Sequence, residues 1–188
     1  RCKNADIMLC KTEITRDLIP AKYRDKSVLF TDVAVERSGH TQIAQSKDSN
    51  TIEFITVGRL DAWRGFDIVL ESFARVAKGD KRMHLSIVGK GSDKARLTLL
   101  VERLGLQEQV TFTGNVPMEQ YYRLLAAADV VVNASLKEGA VTVSFDSMAM
   151  GKPLICIDTT GYTRYFSNEY AVVIPRSGRE EVIADIAT

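Results

Sequence analysis

The chain has 188 residues, which at roughly 150 residues per domain gives one full domain and an additional arm. Lys and Arg number 25 against 24 Asp and Glu, a net charge of +1, with 45% hydrophobic and 26% charged residues; this is globular composition and excludes a disordered tail. Neither sign of charge dominates, so nucleic acid and an anionic membrane find no electrostatic footprint, and any bound anion must be met by a local site.

In chain order, Ile7 to Cys10 is expected as a strand, Thr12 to Ile19 as a short helix ended by Pro20, and Ser27 to Phe30 as a second strand. This is one βαβ unit, too small to be a domain. From about Glu36 to Asn50 the sequence turns polar and has the composition of an exposed connector. The boundary between a first segment, 1–50, and a domain, 51–188, is placed there.

From Thr51 onward, apolar runs about five residues long alternate with stretches of helical period, the pattern of a parallel sheet with crossover helices. The expected strands are Ile52 to Val57, His84 to Val88, Val110 to Phe112, Val130 to Asn133, Leu154 to Ile157 and Ala171 to Ile174. Between them, Phe66 to Ala77 places Phe66, Val69, Leu70, Phe73 and Val76 on one helical face and Asp67, Glu71 and Arg75 on the other. Asp93 to Leu104 follows Ser92, an N-cap residue type, and ends at Gly105. Pro117 is expected at the first position of the next helix, where its missing N–H costs nothing. A further helix spans Thr142 to Met150 and stops at Gly151. The fold class expected is α/β, a Rossmann-like parallel sheet with helices on both faces, its ligands beyond the carboxyl ends of the strands.

Three strand-to-helix loops hold the candidate chemistry. The first, Val57-Gly58-Arg59-Leu60-Asp61-Ala62-Trp63-Arg64-Gly65, has two guanidiniums that can converge on a doubly charged group such as a diphosphate. Taken alone, it equally suits Arg59 paired with a neighbouring carboxylate and Arg64 in solvent. The second, Gly89-Lys90-Gly91-Ser92, lets backbone approach a ligand closely, and equally makes a tight turn. The third runs from Asn133 through Glu138-Gly139 to Thr142 and Val143, whose free N–H groups at a helix start suit a phosphate. Asp146, one turn into that helix, would bracket a ligand from the side opposite Glu138; without the arginine loop the pair equally suits a loop acid and an exposed helix acid.

With these loops in order, the chain resembles the C-terminal domain of GT-B glycosyltransferases of the retaining family 4 group, the glycosyl transferases group 1. The resemblance covers most of Thr51 to Ile174. It rests on Val57-Gly58-Arg59-Leu60 with Arg64-Gly65, Ile87 to Gly91, Thr113-Gly114-Asn115-Val116, Ala128-Asp129-Val130 to Ser135, and the Glu138 to Asp146 loop leading to Gly151-Lys152-Pro153. The resemblance implies a hexosyltransferase that moves sugar from a nucleotide-diphosphate sugar to a glycan or lipid-linked acceptor with retention. Arg59 and Arg64 would hold the diphosphate, Glu138 the transferred sugar and Asp146 the ribose. Backbone near Gly114 to Val116, with Asn115, would meet the base, and Gly58, Gly89, Gly91, Gly139, Thr142 and Val143 would approach the donor. No metal or other cofactor is implied. The first segment looks like the last part of the family's N-terminal, acceptor-binding domain, whose remainder would be a partner in the same chain.

Three positions depart from the family pattern. Arg64 stands where Lys is usual, Asp146 where Glu is usual, and Thr160-Gly161-Tyr162-Thr163-Arg164 replaces a usual Gly-Gly-x-x-Glu. Either the acidic contact is lost there or Arg164 pairs elsewhere. The alternatives are a GT-B epimerase or a non-catalytic nucleotide-binding module, against which a sugar-facing Glu138 argues.

Other residues take ordinary readings. Cys2, Cys10 and Cys156 are odd in number and without metal-ligand spacing, so free thiols in a cytoplasmic protein are expected. His40 and His84 have no second ligand nearby, Trp63 is expected to pack against the domain, and Tyr121 and Tyr122 divide between core and surface. No run of about 18 apolar residues occurs; peripheral attachment to a membrane is open. An opening Arg1 and a helical pattern running to Thr188 read as a piece of a longer protein, inactive alone.

Overall fold

A computed structural model of the chain describes residues 2–30, 50–137, 142–159 and 162–188. The expected connector therefore lies almost wholly outside the described residues.

The first segment folds as one βαβ unit, with β1 (Met8–Cys10) parallel to β2 (Ser27–Leu29). Between them α1 (Glu13–Asp17) starts at Thr12, whose hydroxyl accepts from the Thr15 N–H at 3.2 Å while the Thr15 hydroxyl accepts from the Thr12 N–H at 3.0 Å. The helix is shorter than the expected Thr12 to Ile19. Pro20 biases the residue before it away from helix, and the chain turns instead into a 3-10 stretch, Ala21–Lys26.

The main sheet contains β3 (Ile52–Val57), β4 (Met83–Val88), β5 (Val110–Gly114), β6 (Val130–Asn133), β7 (Leu154–Ile157) and β8 (Ala171–Ile174). All pair in parallel, in the order β5-β4-β3-β6-β7-β8. The intervening helices are α2 (Phe66–Ala77), α3 (Lys94–Leu104), α4 (Met118–Ala127) and α5 (Thr142–Ala149), and α6 (Arg179–Ile186) follows β8. Alternate strand residues divide the core in two, as a parallel sheet buried on both faces requires. Phe54, Leu85, Ile87 and Val132 meet α2, α3 and α6, while Ile55, Val131, Leu154 and Cys156 meet α4 and α5.

Two helix starts differ from expectation. The N-cap before α3 is Asp93, not Ser92, and makes no side-chain cap bond, because its carboxylate is taken by Arg96 in two hydrogen bonds of 2.7 and 2.6 Å. Pro117 is the N-cap of α4, one position before the helix proper.

Strand order reverses between β3 and β6: the chain builds outward from β3 to β5, returns to lay β6 beside β3, and continues to β8. The helices that follow β3 and β6, α2 and α5, thus pack on opposite faces, and a crevice lies at the carboxyl ends of the strands.

Candidate functional site

The loops after β3, β4 and β5 continue the sheet's hydrogen bonding beyond the strands. Gly58 N–H donates to the Val88 carbonyl at 2.9 Å, Gly89 N–H to Gly114 at 2.8 Å and Leu60 N–H to Lys90 at 3.0 Å. Backbones so close leave no room for side chains. At Gly89, with φ +138°, a Cβ would lie 1.9 Å from the Gly58 carbonyl oxygen, and at Gly91 a Cβ would lie 2.2 Å from that of Leu60. The Gly-x-Gly turn therefore packs loop on loop. Gly89 also faces the crevice, whereas Gly91 is not among its lining residues.

The arginine loop is pinned to the loop after β6. Residues Ala62–Arg64 form a 3-10 turn closed by Gly65, whose φ of +67° is left-handed. A Cβ there would lie 2.1 Å from the Ala134 carbonyl oxygen, and beside this contact the Leu136 N–H donates to the Trp63 carbonyl at 2.8 Å. Arg64, half-buried, lines the crevice with Arg59. Loss of solvent is the first cause lowering the Arg64 pKa, the Arg59 charge the second, with Asp61 opposing. Arg59 is exposed; its Nε donates to Asp61 Oδ2 at 2.7 Å, and its guanidinium lies 5.6 Å from the centroid of the half-exposed Trp63 ring. Trp63 is thus a platform under Arg59 rather than a core residue. Two readings of this loop hold together: Arg59 pairs with a neighbouring acid, and two like charges nonetheless face one crevice.

The opposite wall comes from α5 and α4. Thr142 and Val143 open α5 at the crevice, and Asp146 follows one turn on, 4% exposed. Its Oδ2 accepts a 2.7 Å hydrogen bond from the Tyr121 hydroxyl of α4. Burial first, then the bond to Asp146, pushes the Tyr121 pKa far up, so its O–H remains a donor. Asn115 and Val116 close the end beyond β5. The whole encloses about 540 Å³, within the usual range for small-molecule sites.

Of the candidate residues, Gly58, Arg59, Arg64, Gly89, Asn115, Val116, Thr142, Val143 and Asp146 line this one cleft. Glu138 and Gly139 lie outside the described residues. Lining residues given no site role from sequence are Val57, Val88, Lys90, Met118 and Tyr121, the last of which was expected only as core or surface. For Tyr121 the available signal was its place on the first turn of the helix after Asn115-Val116, the same carboxyl edge.

Some signature residues hold the frame. Asp129 Oδ2 accepts from the Glu53 N–H at 2.7 Å, tying the start of β3 to β6. Lys152 Nζ donates to the Ala126 and Ala128 carbonyls at the end of α4. Arg164 pairs with Glu13 of α1, the second of the two outcomes expected for it. Among the described residues no group of three or more His, Cys, Asp or Glu side chains gathers as a metal site, and no helix is long and apolar enough to cross a membrane.

A family model described as glycosyl transferases group 1 matches residues 40–188. An uncharacterised glycosyltransferase of Methanocaldococcus jannaschii is 24% identical over 189 residues, covering 96% of this chain and 48% of that protein. The D-inositol 3-phosphate glycosyltransferase of Corynebacterium jeikeium is 27% identical over 180 residues, covering 84% of this chain and 42% of that protein. The chain thus spans about half the length of these relatives. An Anabaena protein whose crystal structure holds UDP and glucose superimposes with a TM-score of 0.76 at 17% identity, over 97% of this chain and 53% of that one.

Proposed function

From the premise that the chain belongs to the glycosyl transferases group 1 family, we propose that it is the donor-binding part of a retaining hexosyltransferase that uses a nucleotide-diphosphate sugar. The observation that carries this reading is the meeting of Arg59, Arg64, the start of α5 and the buried Asp146 in one cleft at the point where strand order reverses. The acceptor is a glycan or a lipid-linked glycan, and no metal takes part.

Cleavage of the anomeric bond puts negative charge on the departing diphosphate. The two guanidiniums and the Thr142 and Val143 N–H groups stand where that charge develops, in a partly dry site that strengthens each interaction. Arg64, disfavoured by burial and by Arg59, is relieved by an arriving anion. The sugar passes through an oxocarbenium-like state, with Glu138 against its hydroxyls and the acceptor attacking from the face the phosphate leaves. Asp146 accepts from the ribose.

Residues 1–50 are the end of the acceptor-binding domain, and 51–188 form the donor domain. The relatives' greater length and an apolar surface on the βαβ unit support this division, with Ile7 67%, Leu9 65% and Phe30 55% exposed. These residues alone do not turn over substrate, because the reaction centre lies between two domains. The full enzyme works in the cytoplasm, where the acceptor domain decides any attachment to a membrane face.

The test is calorimetry with UDP, GDP and ADP, each with and without hexose. Preference for one base is expected, with affinity for the nucleotide falling at least tenfold in Arg64→Ala and in Arg59→Ala; tenfold corresponds to about 1.4 kcal/mol. Glu138→Ala should weaken the sugar nucleotide far more than the bare nucleotide. Equal effects on both would replace the enzyme by a nucleotide-binding module, and binding untouched by the arginine variants would remove the diphosphate site.

A further inference from the structure

We propose that Tyr121 is a positioning residue that sets ribose selectivity, by holding the Asp146 carboxylate in the orientation that receives the sugar hydroxyls of the nucleotide. The proposal rests on the donor site described above and adds a residue to it.

Tyr121 and Asp146 lie 25 residues apart, on helices that leave different strands, and meet through a 2.7 Å hydrogen bond. Both line the cleft. Asp146 is buried at 4% exposure and Tyr121 at 8%, so little water is at hand to orient the carboxylate. The phenol is itself held in place: its ring lies 4.9 Å from that of Tyr122 and packs in one cluster with Leu125 and Val131. A rigid ring delivering a hydroxyl to one carboxylate oxygen fixes the plane of the whole group. Aspartate needs this more than glutamate would, because it is shorter by about one C–C bond, ~1.5 Å, and reaches the cleft only from a defined angle. A ligand hydroxyl then meets an acceptor already oriented, without the entropic cost of ordering it.

The effect is local to the sugar. The diphosphate would be met by Arg59, Arg64 and the start of α5, whereas the hydrogen bond of the phenol runs to Asp146. Tyr121→Phe keeps the ring and its packing and removes only the hydroxyl that donates to Asp146 Oδ2. The variant should therefore lose ribose recognition while retaining diphosphate binding.

The experiment is calorimetry of UDP, GDP and ADP, their 2′-deoxy and 3′-deoxy counterparts, and inorganic pyrophosphate, on wild type, Tyr121→Phe and Asp146→Asn, with thermal unfolding alongside. Expected is a ribo-to-deoxy affinity ratio of roughly tenfold in wild type, falling to near one in both variants, with pyrophosphate affinity unchanged. In wild-type protein labelled at tyrosine, the Tyr121 Cζ resonance should move on adding the ribonucleotide and much less on adding the deoxy form, a readout that needs no variant to fold. A ratio kept in Tyr121→Phe but lost in Asp146→Asn overturns the proposal and leaves the donor site standing. So does an affinity loss shared equally by ribo, deoxy and pyrophosphate ligands. Failure of wild type to bind any of the nucleotides overturns the donor site and this inference with it.

Discussion

Replacing Gly65 by alanine tests whether the arginine loop depends on its contact with the loop after β6. The added methyl would sit 2.1 Å from the Ala134 carbonyl oxygen, where contacts under 3.0 Å force a shift, so the two backbones must part by about an ångström. Two costs combine. A left-handed conformation at φ +67° costs alanine about 1–2 kcal/mol, and parting the loops strains the 2.8 Å bond from Leu136 N–H to the Trp63 carbonyl, worth ~1 kcal/mol. The expected loss is about 2–3 kcal/mol, or a fall in Tm of roughly 4–12 °C for a chain of this size. Gly105 is the internal control, with φ +71° and nothing within 4 Å of its Cβ position. Gly105→Ala bears the conformational cost alone, ~1–2 kcal/mol. Thermal unfolding of both variants separates the terms, and calorimetry with a nucleoside diphosphate should show weaker binding only in Gly65→Ala. Equal Tm losses and equal affinities in the two variants would refute the reasoning.

Two further outcomes follow from burial and charge. Burial, reinforced by Asp158, pushes the Cys156 thiol up to about 12 from 9.0, so the folded state keeps a proton that the unfolded chain releases. Its contribution is fully present below pH 9 and is lost as pH rises toward 12, giving a fall of about 1.4 kcal/mol between pH 8 and 10. Urea unfolding of wild type and Cys156→Ala at both pH values measures it, and a constant difference between them would contradict the assignment. On the α2 side of the sheet, Arg179 of α6 bonds Glu71 at 2.6 Å and Asp67 at 3.0 Å. These groups are partly solvated, so Arg179→Ala should cost only about 1 kcal/mol, less at 1 M salt. Faster amide exchange across α6 with little change in β3 is the expected signature, and unchanged exchange would count against the bridge.

The ends of β3, β6, β7 and β8 were legible in the residues because parallel strands buried on both faces are short, continuous apolar runs bounded by glycine and polar loops. The face of α2 was legible for a related reason: its apolar positions recur at the helical period. Where a helix begins was less so. Asp93 occupies the cap position but gives its carboxylate to Arg96, a choice that depends on a side chain three residues away. In the same way Asp129 and Lys152, which stand in the chain like site residues, serve to tie β3 to β6 and to close α4.

By itself, then, the amino-acid order determined the α/β layering, the three loops and the candidate residues Arg59, Arg64 and Asp146, since each follows from neighbours along the chain. Which groups face one another was decided only by the strand order. The return of the chain from β5 to β6 brings α4 and α5 to the same crevice, so that Tyr121 meets Asp146 and Gly65 meets Ala134. Arg164 likewise meets Glu13 of the first segment, 151 residues away in the chain. Such pairings join residues distant in sequence, and local propensity and periodicity contain no term for them; they exist because the packed sheet leaves these side chains a single place to go.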